Sequence, residues 1–303
     1  MPKICYIAKN LNRASMVAVN QANEIIEEYA AQGFDLTLRQ LYYQFVARGY
    51  IPNKDREYKR LGSIISDARL CGLIDWRAIV DRTRNLRSNG HWDDPADIID
   101  SAAKSFALDK WSDQPCRPEV WIEKDALVGI LETACNPLDV PFFSCRGYTS
   151  ISEMWAAAQR LLGYQDHKQK PVIFHLGDHD PSGIDMSRDI QDRLETFGVT
   201  VEFHRIALNM DQVGQYRPPP NPAKALDVRF ADYESKFGSE CWELDALDPV
   251  VLTTLIQDKV KAIRKERKWK AREIAEAKGR EKIATVALRW DEVSEFLENG
   301  GET

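Results

Sequence analysis

Three carboxylates near the middle of the chain have the types and the spacing to hold a divalent cation. Glu123 directly follows a short apolar stretch, and Asp178 and Asp180 follow a longer one at 171–176. Asp178 and Asp180 are two residues apart, so their side chains point the same way from an extended backbone. Converging carboxylates repel one another unless a cation or a proton neutralises them. Because Mg²⁺ prefers oxygen ligands and keeps waters that a phosphate can displace, we expect Mg²⁺ here, with Mn²⁺ as a substitute. Asp180 has a second interpretation, as the cap of the helix that follows it.

A pair of tyrosines near the start of the chain is the second group of residues that could take part in a reaction. If the segment is helical, Arg39 and Tyr43 lie four residues apart on one face, while Tyr42 points elsewhere. A phenol can attack a phosphodiester when it is helped to lose its proton, and a neighbouring guanidinium stabilises the charge that develops. Two adjacent tyrosines on a helix also serve for packing, so both interpretations of Tyr43 stay open on these residues alone.

Three short helices are predicted in the first ninety residues. Apolar residues recur at helical spacing over 14–31, and Thr37 and Gln40 have the spacing of a capping box that opens a helix ending near Gly49. A third helix is predicted at 58–70, and the apolar stretch 71–80 predicts a strand-like wing. This order is typical of a winged helix-turn-helix, whose third helix enters the major groove of DNA. The basic residues expected to contact phosphates here are Arg56, Lys59, Arg60 and Arg69. A helical bundle without a DNA role is the alternative.

Strands and helices alternate between residues 118 and 204. The apolar stretches predict strands at 119–122, 140–143, 171–176 and 199–204, with helices at 125–135, 150–162 and 181–197 between them. Alternation at this spacing predicts a doubly wound α/β domain with a parallel sheet. Ligands of such a sheet bind at the carboxyl ends of its strands, where the three carboxylates fall. A proline-rich connector at 215–222 and a helical region follow.

The composition is that of an ordinary globular protein, but the charge is unevenly distributed along the chain. The 303 residues carry a formal charge of −6, yet the segment 259–282 holds eleven Lys and Arg residues against four Glu. This basic stripe, which includes Lys265, Arg267 and Lys268, is typical either of a polyanion-binding face or of a solvated helix.

The six cysteines include no closely spaced pair, which disfavours a zinc site and favours reduced thiols. No apolar run is long enough to span a bilayer or to serve as a signal peptide, so a cytoplasmic protein is expected.

Four motifs together resemble the A subunit of DNA topoisomerase VI and the related meiotic double-strand-break transesterases. They occur in the order of that family, across about half of the chain: Leu38-Arg-Gln-Leu-Tyr-Tyr43, Ile122-Glu-Lys124, Arg146-Gly-Tyr148 and Asp178-His-Asp-Pro-Ser-Gly-Ile184. The resemblance implies a winged-helix DNA-binding domain at 1–92, a linker helix at 93–116, a Toprim metal-binding domain at 117–213, and a connector with a helical basic region at 214–303.

The resemblance also implies residue roles. Tyr43 takes the position of the nucleophile that joins to a 5′ phosphate, and Arg39 that of the arginine one turn before it. Glu123, Asp178 and Asp180 match the Toprim metal ligands. In the family, the tyrosine of one subunit works with the metal site of the other, so a homodimer that cuts both strands of double-stranded DNA is implied. A bacterial or phage protein associated with the nucleoid is expected.

One motif departs from the family, and one activity has no counterpart in the sequence. Arg146-Gly-Tyr148 stands where the family has Gly-Lys-Gly-Tyr, so Arg146 is the expected substitute as a phosphate contact. The chain contains no glycine-rich nucleotide loop, so strand passage driven by ATP would need a separate B-type ATPase partner.

Two other functions remain open on the sequence. In the first, the metal site activates a water, and the protein is a hydrolytic Toprim nuclease in which Tyr43 is structural. In the second, the protein binds DNA without cutting it, and the carboxylates hold only a structural cation. Covalent attachment of the protein to DNA distinguishes the transesterase from both.

Overall fold

The computed structural model describes residues 3–80, 89–223 and 227–300. The chain divides into two compact units, Met1–Arg84 with Pro118–Val260, and Asn85–Arg117 with Lys261–Thr303. The helices in chain order are α1 (Arg13–Ala31), α2 (Leu38–Ala47), α3 (Asp55–Leu70), α4 (Pro95–Ser105), α5 (Val128–Cys135), α6 (Ile151–Asp166), α7 (Pro181–Thr196), α8 (Met210–Tyr216), α9 (Phe230–Phe237), α10 (Pro249–Ile263), α11 (Glu266–Leu288) and α12 (Trp290–Glu298). The strands are β1 (Cys116–Ile122), β2 (Phe142–Ser144), β3 (Lys170–Leu176), β4 (Glu202–Ala207), β5 (Asn221–Pro222) and β6 (Glu240–Cys241).

The three predicted N-terminal helices are confirmed as α1, α2 and α3. The predicted capping box opens α2, because the Gln40 amide donates to the Thr37 hydroxyl oxygen at 3.2 Å and the Thr37 amide donates to the Gln40 side chain at 2.8 Å. The apolar faces of the helices pack into one core that includes Ile25, Phe45 and Ile65. Each of these side chains is nearly or fully buried, which fixes the rotation of α2 about its own axis.

The strand-like wing predicted at 71–80 is wrong. Within that stretch only isolated bridges form, an antiparallel one between Cys71 and Cys5 and a parallel one between Ile79 and Leu36. The physical reason is local turn formation: Asp75 accepts hydrogen bonds from the amides of two following residues, through its carbonyl and its carboxylate. Backbone groups used in a turn are not available for a strand ladder. Residues 81–88, which also fall in the predicted winged-helix domain, lie outside the described residues.

The predicted parallel sheet is confirmed, with four strands in the order β2-β1-β3-β4. Helices α5, α6 and α7 alternate with its strands. Strand β3 is buried along nearly its whole length, as expected of a strand covered on both faces. Because β1 and β3 are neighbours and run in the same direction, their carboxyl ends bring Glu123 and Asp178 to the same edge of the sheet.

A short antiparallel pairing places the segment that follows α9 against this edge. Strand β6 pairs with β5, and Trp242 then exchanges two backbone hydrogen bonds with His179, at 2.8 and 3.0 Å. His179 lies between the two aspartates that follow β3. Residues 243–245 are therefore held directly beside Asp178, and a 3₁₀ turn over Leu244–Ala246 follows.

In the second unit, α4 packs along α11. The rings of Trp111 and Trp269 meet edge to face, with centroids 5.8 Å apart, and both side chains are buried. Gly279 allows the close approach, because a Cβ there would lie 2.4 Å from the Phe106 ring. The predicted helical C-terminal region is thus confirmed as α10, α11 and α12. Among the helices of the described residues, none is both long and apolar enough to cross a membrane.

Candidate active site

A cavity of about 570 Å³ in the first unit contains both groups of candidate residues. Helix α2 contributes the tyrosine pair and Arg39, and the edge of the sheet contributes Lys124 and two of the three predicted metal ligands. Its lining includes Arg39, Tyr43, Asn53, Lys124, Asp178, Asp180, Asn221 and Glu243. Residues separated by about 140 positions in the sequence thus face one space.

Tyr43 lies on α2 one turn after Arg39, as the sequence predicts. The Arg39 guanidinium donates from Nη2 to the Tyr43 hydroxyl at 3.3 Å and lies 5.5 Å from the centre of its ring. Tyr43 is only 3% exposed. Burial, followed by the negative charges of Asp245 and Glu243, raises the pKa of Tyr43, and Arg39 opposes this shift. The phenol is therefore held in its protonated form in the free protein.

Two acidic residues that the sequence analysis missed connect Arg39 to the sheet. Arg39 donates from Nε to Asp245 at 2.7 Å and from Nη2 to Glu243. Lys124 Nζ lies 2.9 Å from each of three carboxylates, those of Asp178, Glu243 and Asp245. Asp245 is almost completely buried, and the Glu243 side chain is 23% exposed. We name these five side chains, Arg39, Lys124, Asp178, Glu243 and Asp245, the ion network.

Opposite charges in the ion network stabilise the ionised forms of Lys124 and Glu243. Burial alone would lower the pKa of Lys124, but Asp245, Asp178 and Glu243 outweigh burial and raise it. Burial alone would raise the pKa of Glu243, but Lys124 and Arg39 lower it to about 2. Glu243 and Asp245 are two residues apart, the same spacing that pointed to Asp178 and Asp180. No strand was predicted directly before Glu243 and Asp245, so their spacing alone did not indicate that they would lie at the edge of the sheet.

The three predicted metal ligands lie at the strand ends, each with a hydrogen bond from the protein. Glu123 Oε2 accepts from the Asp178 amide at 2.8 Å, and Asp178 Oδ1 accepts from the Leu244 amide at 2.7 Å. Asp180 caps α7, because its Oδ1 accepts from the Gly183 amide at 2.6 Å. The alternative interpretation of Asp180 as a helix cap is therefore confirmed, and the cap uses only one of the two carboxylate oxygens.

Two of the carboxyl groups at this edge have raised pKa values. Burial raises the pKa of Asp178 to about 7, with Glu123 and Asp245 adding to the shift and Lys124 opposing it. Burial and the nearby charge of Asp180 raise the pKa of Glu123. Within the described part of the chain, no cluster of three or more His, Cys, Asp or Glu side chains is arranged to hold a metal ion. Mg²⁺ commonly binds to one or two carboxylates and keeps several waters. Glu123 and Asp180 would be those carboxylates, because Asp178 is paired with Lys124.

Arg205, a half-buried residue on β4 that the sequence analysis also missed, fixes the loop that carries the aspartates. Its guanidinium donates to the carbonyl oxygens of Gly177 at 3.0 Å, Asp178 at 2.6 Å and Gly183 at 2.9 Å. Burial lowers the pKa of Arg205 to about 10, although Glu123 and Asp178 oppose the shift. The loop backbone is thereby held in one position relative to the sheet.

The predicted DNA-binding residues of the first unit differ in their freedom to reach a phosphate. Arg56, Lys59 and Arg60 are exposed on α3, with Arg60 paired to Glu57 at 2.8 Å. Arg69 is half-buried and donates to the Trp76 carbonyl oxygen at 2.6 Å. Its guanidinium is therefore committed to the protein.

Arg146 and the basic stripe are also exposed. The Arg146 side chain is 74% exposed and lies 3.2 Å from Asp125. In the second unit, Lys265, Arg267 and Lys268 are exposed at the start of α11, and Lys268 donates to the Asp113 carbonyl oxygen.

Comparison with known proteins gave no match to a family model, to a curated protein or to a solved structure.

Proposed function

We propose that this protein is a DNA-cleaving transesterase similar to the A subunit of topoisomerase VI, with Tyr43 as the nucleophile. One observation carries the proposal: Tyr43 and Arg39 line the same cavity as Lys124, Asp178 and Asp180. In this interpretation α1, α2 and α3 belong to the DNA-binding domain, and the parallel sheet is the Toprim domain. Double-stranded DNA is the substrate.

The reaction exchanges one phosphoester bond for another. The Tyr43 oxygen attacks the phosphorus as its proton passes to water, the bond from phosphorus to the 3′ oxygen breaks, and that oxygen takes up a proton from water. The other strand end is then joined to Tyr43 by a 5′ phosphotyrosyl bond. Arg39 and Lys124 place two positive charges where negative charge develops in the transition state. The covalent bond retains the energy needed to reseal the strand.

Mg²⁺, held by Glu123 and Asp180, would supply further charge stabilisation at the phosphate. Mn²⁺ has the same ligand preference and is the proposed substitute.

A DNA phosphate must compete with Glu243 for the two cations. A phosphate presents charged oxygens to Arg39 and Lys124 as a carboxylate does. Glu243 is the partner to be displaced, because its side chain is partly exposed whereas that of Asp245 is 1% exposed. Asp245 would then keep Arg39 and Lys124 in position while the phosphate binds.

Hydrolytic cleavage is the second candidate function, and a specific observation favours it. Tyr43 is almost fully buried and its pKa is raised, so its oxygen is a poor nucleophile until its proton is removed. A water held near Glu123 and Asp180 would have its pKa lowered by the bound cation and would not need the Tyr43 phenol. In that case Tyr43 is a structural residue and no covalent complex forms.

The experiment that tests the proposal uses supercoiled plasmid with Mg²⁺ or Mn²⁺, stopped with a denaturant, with and without protease. We expect cut DNA that enters the gel only after protease and that disappears with Tyr43→Phe. Tyr42→Phe is the matched control, because the Tyr42 hydroxyl accepts from the Lys54 amide at 2.8 Å and donates to Asn53. Protein-free breaks that survive Tyr43→Phe would establish the hydrolytic nuclease. Binding without breaks would favour the non-catalytic DNA-binding protein or a missing B-type partner.

A further inference from the structure

Two cysteines that are far apart in the sequence lie opposite each other in the first unit. The segment before α1 meets the end of α3 in an isolated antiparallel bridge that pairs Cys5 with Cys71. Cys5 is exposed, Cys71 is half-buried, and both are free thiols. The sequence analysis considered only cysteines that are close in sequence, so it missed this pair.

The type of bridge brings the two backbones close enough for a disulfide. The Tyr6 amide donates to the Leu70 carbonyl oxygen at 2.8 Å, so the residue after Cys5 bonds to the residue before Cys71. The two cysteines therefore form a non-hydrogen-bonded pair, in which opposite Cα atoms lie about 4.5 Å apart. A disulfide joins Cα atoms that are about 4.4–6.8 Å apart.

Gly72 allows this close approach. A Cβ at Gly72 would lie 2.8 Å from the Cys5 amide nitrogen, and its φ of +74° is one that glycine adopts without strain. The Cys71 thiol meanwhile donates to the Ala68 carbonyl oxygen at 3.6 Å, and a thiol is a weak donor. Such a bond does not prevent rotation about the Cα–Cβ bond of Cys71, which turns its sulfur towards Cys5.

Surface contacts hold the segment that carries Cys5. Trp76 donates from Nε1 to the Ile4 carbonyl oxygen at 3.0 Å, and its ring meets that of Tyr6 edge to face, with centroids 5.5 Å apart. Tyr6 is nonetheless 67% exposed and Ile4 46% exposed. An oxidant can therefore reach Cys5, and a covalent bond would hold the segment more firmly than these contacts do.

Other cysteines of the chain are less open to oxidation. Cys135 and Cys145 are buried, and burial raises the pKa of each thiol to about 12. Because the thiolate is the reactive form, these two cysteines should stay reduced. Cys116 is half-buried, as Cys71 is, and serves as the control below.

We propose that Cys5 and Cys71 are an oxidation site, at which a low-molecular-weight disulfide such as oxidised glutathione converts the two thiols into a reversible disulfide bond. The Cys5 thiolate attacks one sulfur of the small disulfide, forms a mixed disulfide and releases one small thiol. The Cys71 thiolate then attacks Cys5 Sγ and releases the second small thiol. The two electrons and two protons that the protein thiols lose are carried away by the two small thiols. The new bond fastens the start of the chain to the end of α3, and this inference does not depend on the proposed DNA cleavage.

Peptide mapping tests whether the bond forms. The reduced full chain is incubated with oxidised glutathione, remaining thiols are blocked by alkylation, and the peptides are compared by mass spectrometry before and after dithiothreitol. We expect the Cys5 and Cys71 peptides of one chain to be joined and to separate on reduction. Cys116→Ser should form the same bond, whereas Cys71→Ser should stop at a glutathione adduct on Cys5. A wild type that stops at that adduct, that joins Cys5 of two chains or that does not react would overturn the inference.

Thermal unfolding tests whether the bond fastens the segment. A disulfide that closes so long a loop restricts the unfolded chain, so we expect the unfolding midpoint of the oxidised wild type to lie at least about 5 °C above that of the reduced protein. Cys116→Ser should show the same rise, and Cys5→Ser should have one midpoint under both conditions. Equal midpoints for the reduced wild type and for the wild type with the bond verified by mass spectrometry would contradict the inference.

Discussion

Arg39 donates to the hydroxyl of Tyr43 across 3.3 Å, and the two residues are one helical turn apart on α2. The guanidinium therefore reaches the atom that would attack the phosphate. We expect Arg39→Ala to lower the rate of covalent complex formation by about 10²–10³-fold, the usual effect of losing one donor at a developing charge. Arg39→Lys should retain part of the rate, whereas Arg289→Ala, an arginine whose side chain is 62% exposed between α11 and α12, is the control. An unchanged rate for Arg39→Ala in a single-turnover assay would remove Arg39 from the mechanism.

The loss of Asp245 should destabilise the protein. Asp245 is almost completely buried and accepts hydrogen bonds from Arg39 at 2.7 Å and from Lys124 at 2.9 Å. We expect Asp245→Ala to lower the free energy of unfolding by about 3–5 kcal/mol, since two cations lose a buried partner. The control is Asp192→Ala, whose side chain is 56% exposed in an ion pair with Arg188 and should contribute about 0.5 kcal/mol or less. Urea unfolding measures both, and equal values would show that the ion network does not stabilise the fold.

Removal of the charge of Glu243 should strengthen DNA binding. The Glu243 carboxylate occupies donors of Arg39 and Lys124 that a phosphate would use. A unit charge about 4 Å away is worth about 1 kcal/mol in water, so we expect Glu243→Gln to bind duplex DNA about fivefold more tightly. Fluorescence anisotropy with a labelled duplex measures this, and Glu240→Gln, an exposed residue on β6, is the control. Equal affinities for the two variants would mean that phosphate does not enter at Glu243.

His175 should make the protein less stable in acid. It is fully buried on β3, and burial together with the nearby Arg205 lowers its pKa from 6.5 to about 3. Between those values the unfolded chain binds a proton that the folded chain does not, so stability falls as pH decreases from about 6.5 towards 3. The contribution is about 1.4 kcal/mol per pH unit.

A comparison of slopes isolates this effect from other titrating groups. We expect His175→Gln to flatten the dependence of unfolding free energy on pH between about 6 and 4 relative to wild type. The control is the exposed His167→Gln, which should leave the slope unchanged. A slope that His175→Gln does not alter would mean that His175 titrates alike in both states. His179, whose pKa burial and Arg205 lower to about 4, acts in the same direction and is present in all three proteins.

The basic stripe should contribute to DNA binding through counterion release. We expect the triple change of Lys265, Arg267 and Lys268 to Gln to weaken binding and to reduce the slope of log K against log salt by about 0.9 for each phosphate that the variant no longer neutralises. The matched control changes Lys104, Lys170 and Lys236 to Gln, which are exposed lysines that pair with acidic neighbours elsewhere. Equal salt slopes for the two triple variants would leave the stripe as a solvated surface.

Local signals in the sequence were enough to predict most helices and the sheet. Thr37 and Gln40 define the start of α2, and Ser150, whose hydroxyl accepts from the Glu153 amide at 3.2 Å, defines the start of α6. These signals act within four residues, so they can be recognised without the fold. The position of Asp178 was predictable too, because a buried parallel strand ends directly before it.

The residues that complete the candidate site could not be predicted, because their neighbours are distant in sequence. Asp245 contacts Arg39 across 206 residues, and Glu243 contacts Lys124 across 119. Strands β5 and β6, which hold this segment in place, have two residues each and too little apolar pattern to recognise. The wing predicted at 71–80 failed for a different, local reason, since a polar residue, Asp75, turned an apolar stretch into local turns.

The separation of Arg39 from Asp245 has a consequence for the order in which the protein is made. Contacts between residues so far apart form late in folding, because the long loop between them must be closed first. A chain growing on the ribosome presents Tyr43 and later Asp178 well before residue 245 has been added. The ion network can form only when the first unit is nearly complete, so an unfinished or truncated chain carries the chemical groups without the connection that aligns them.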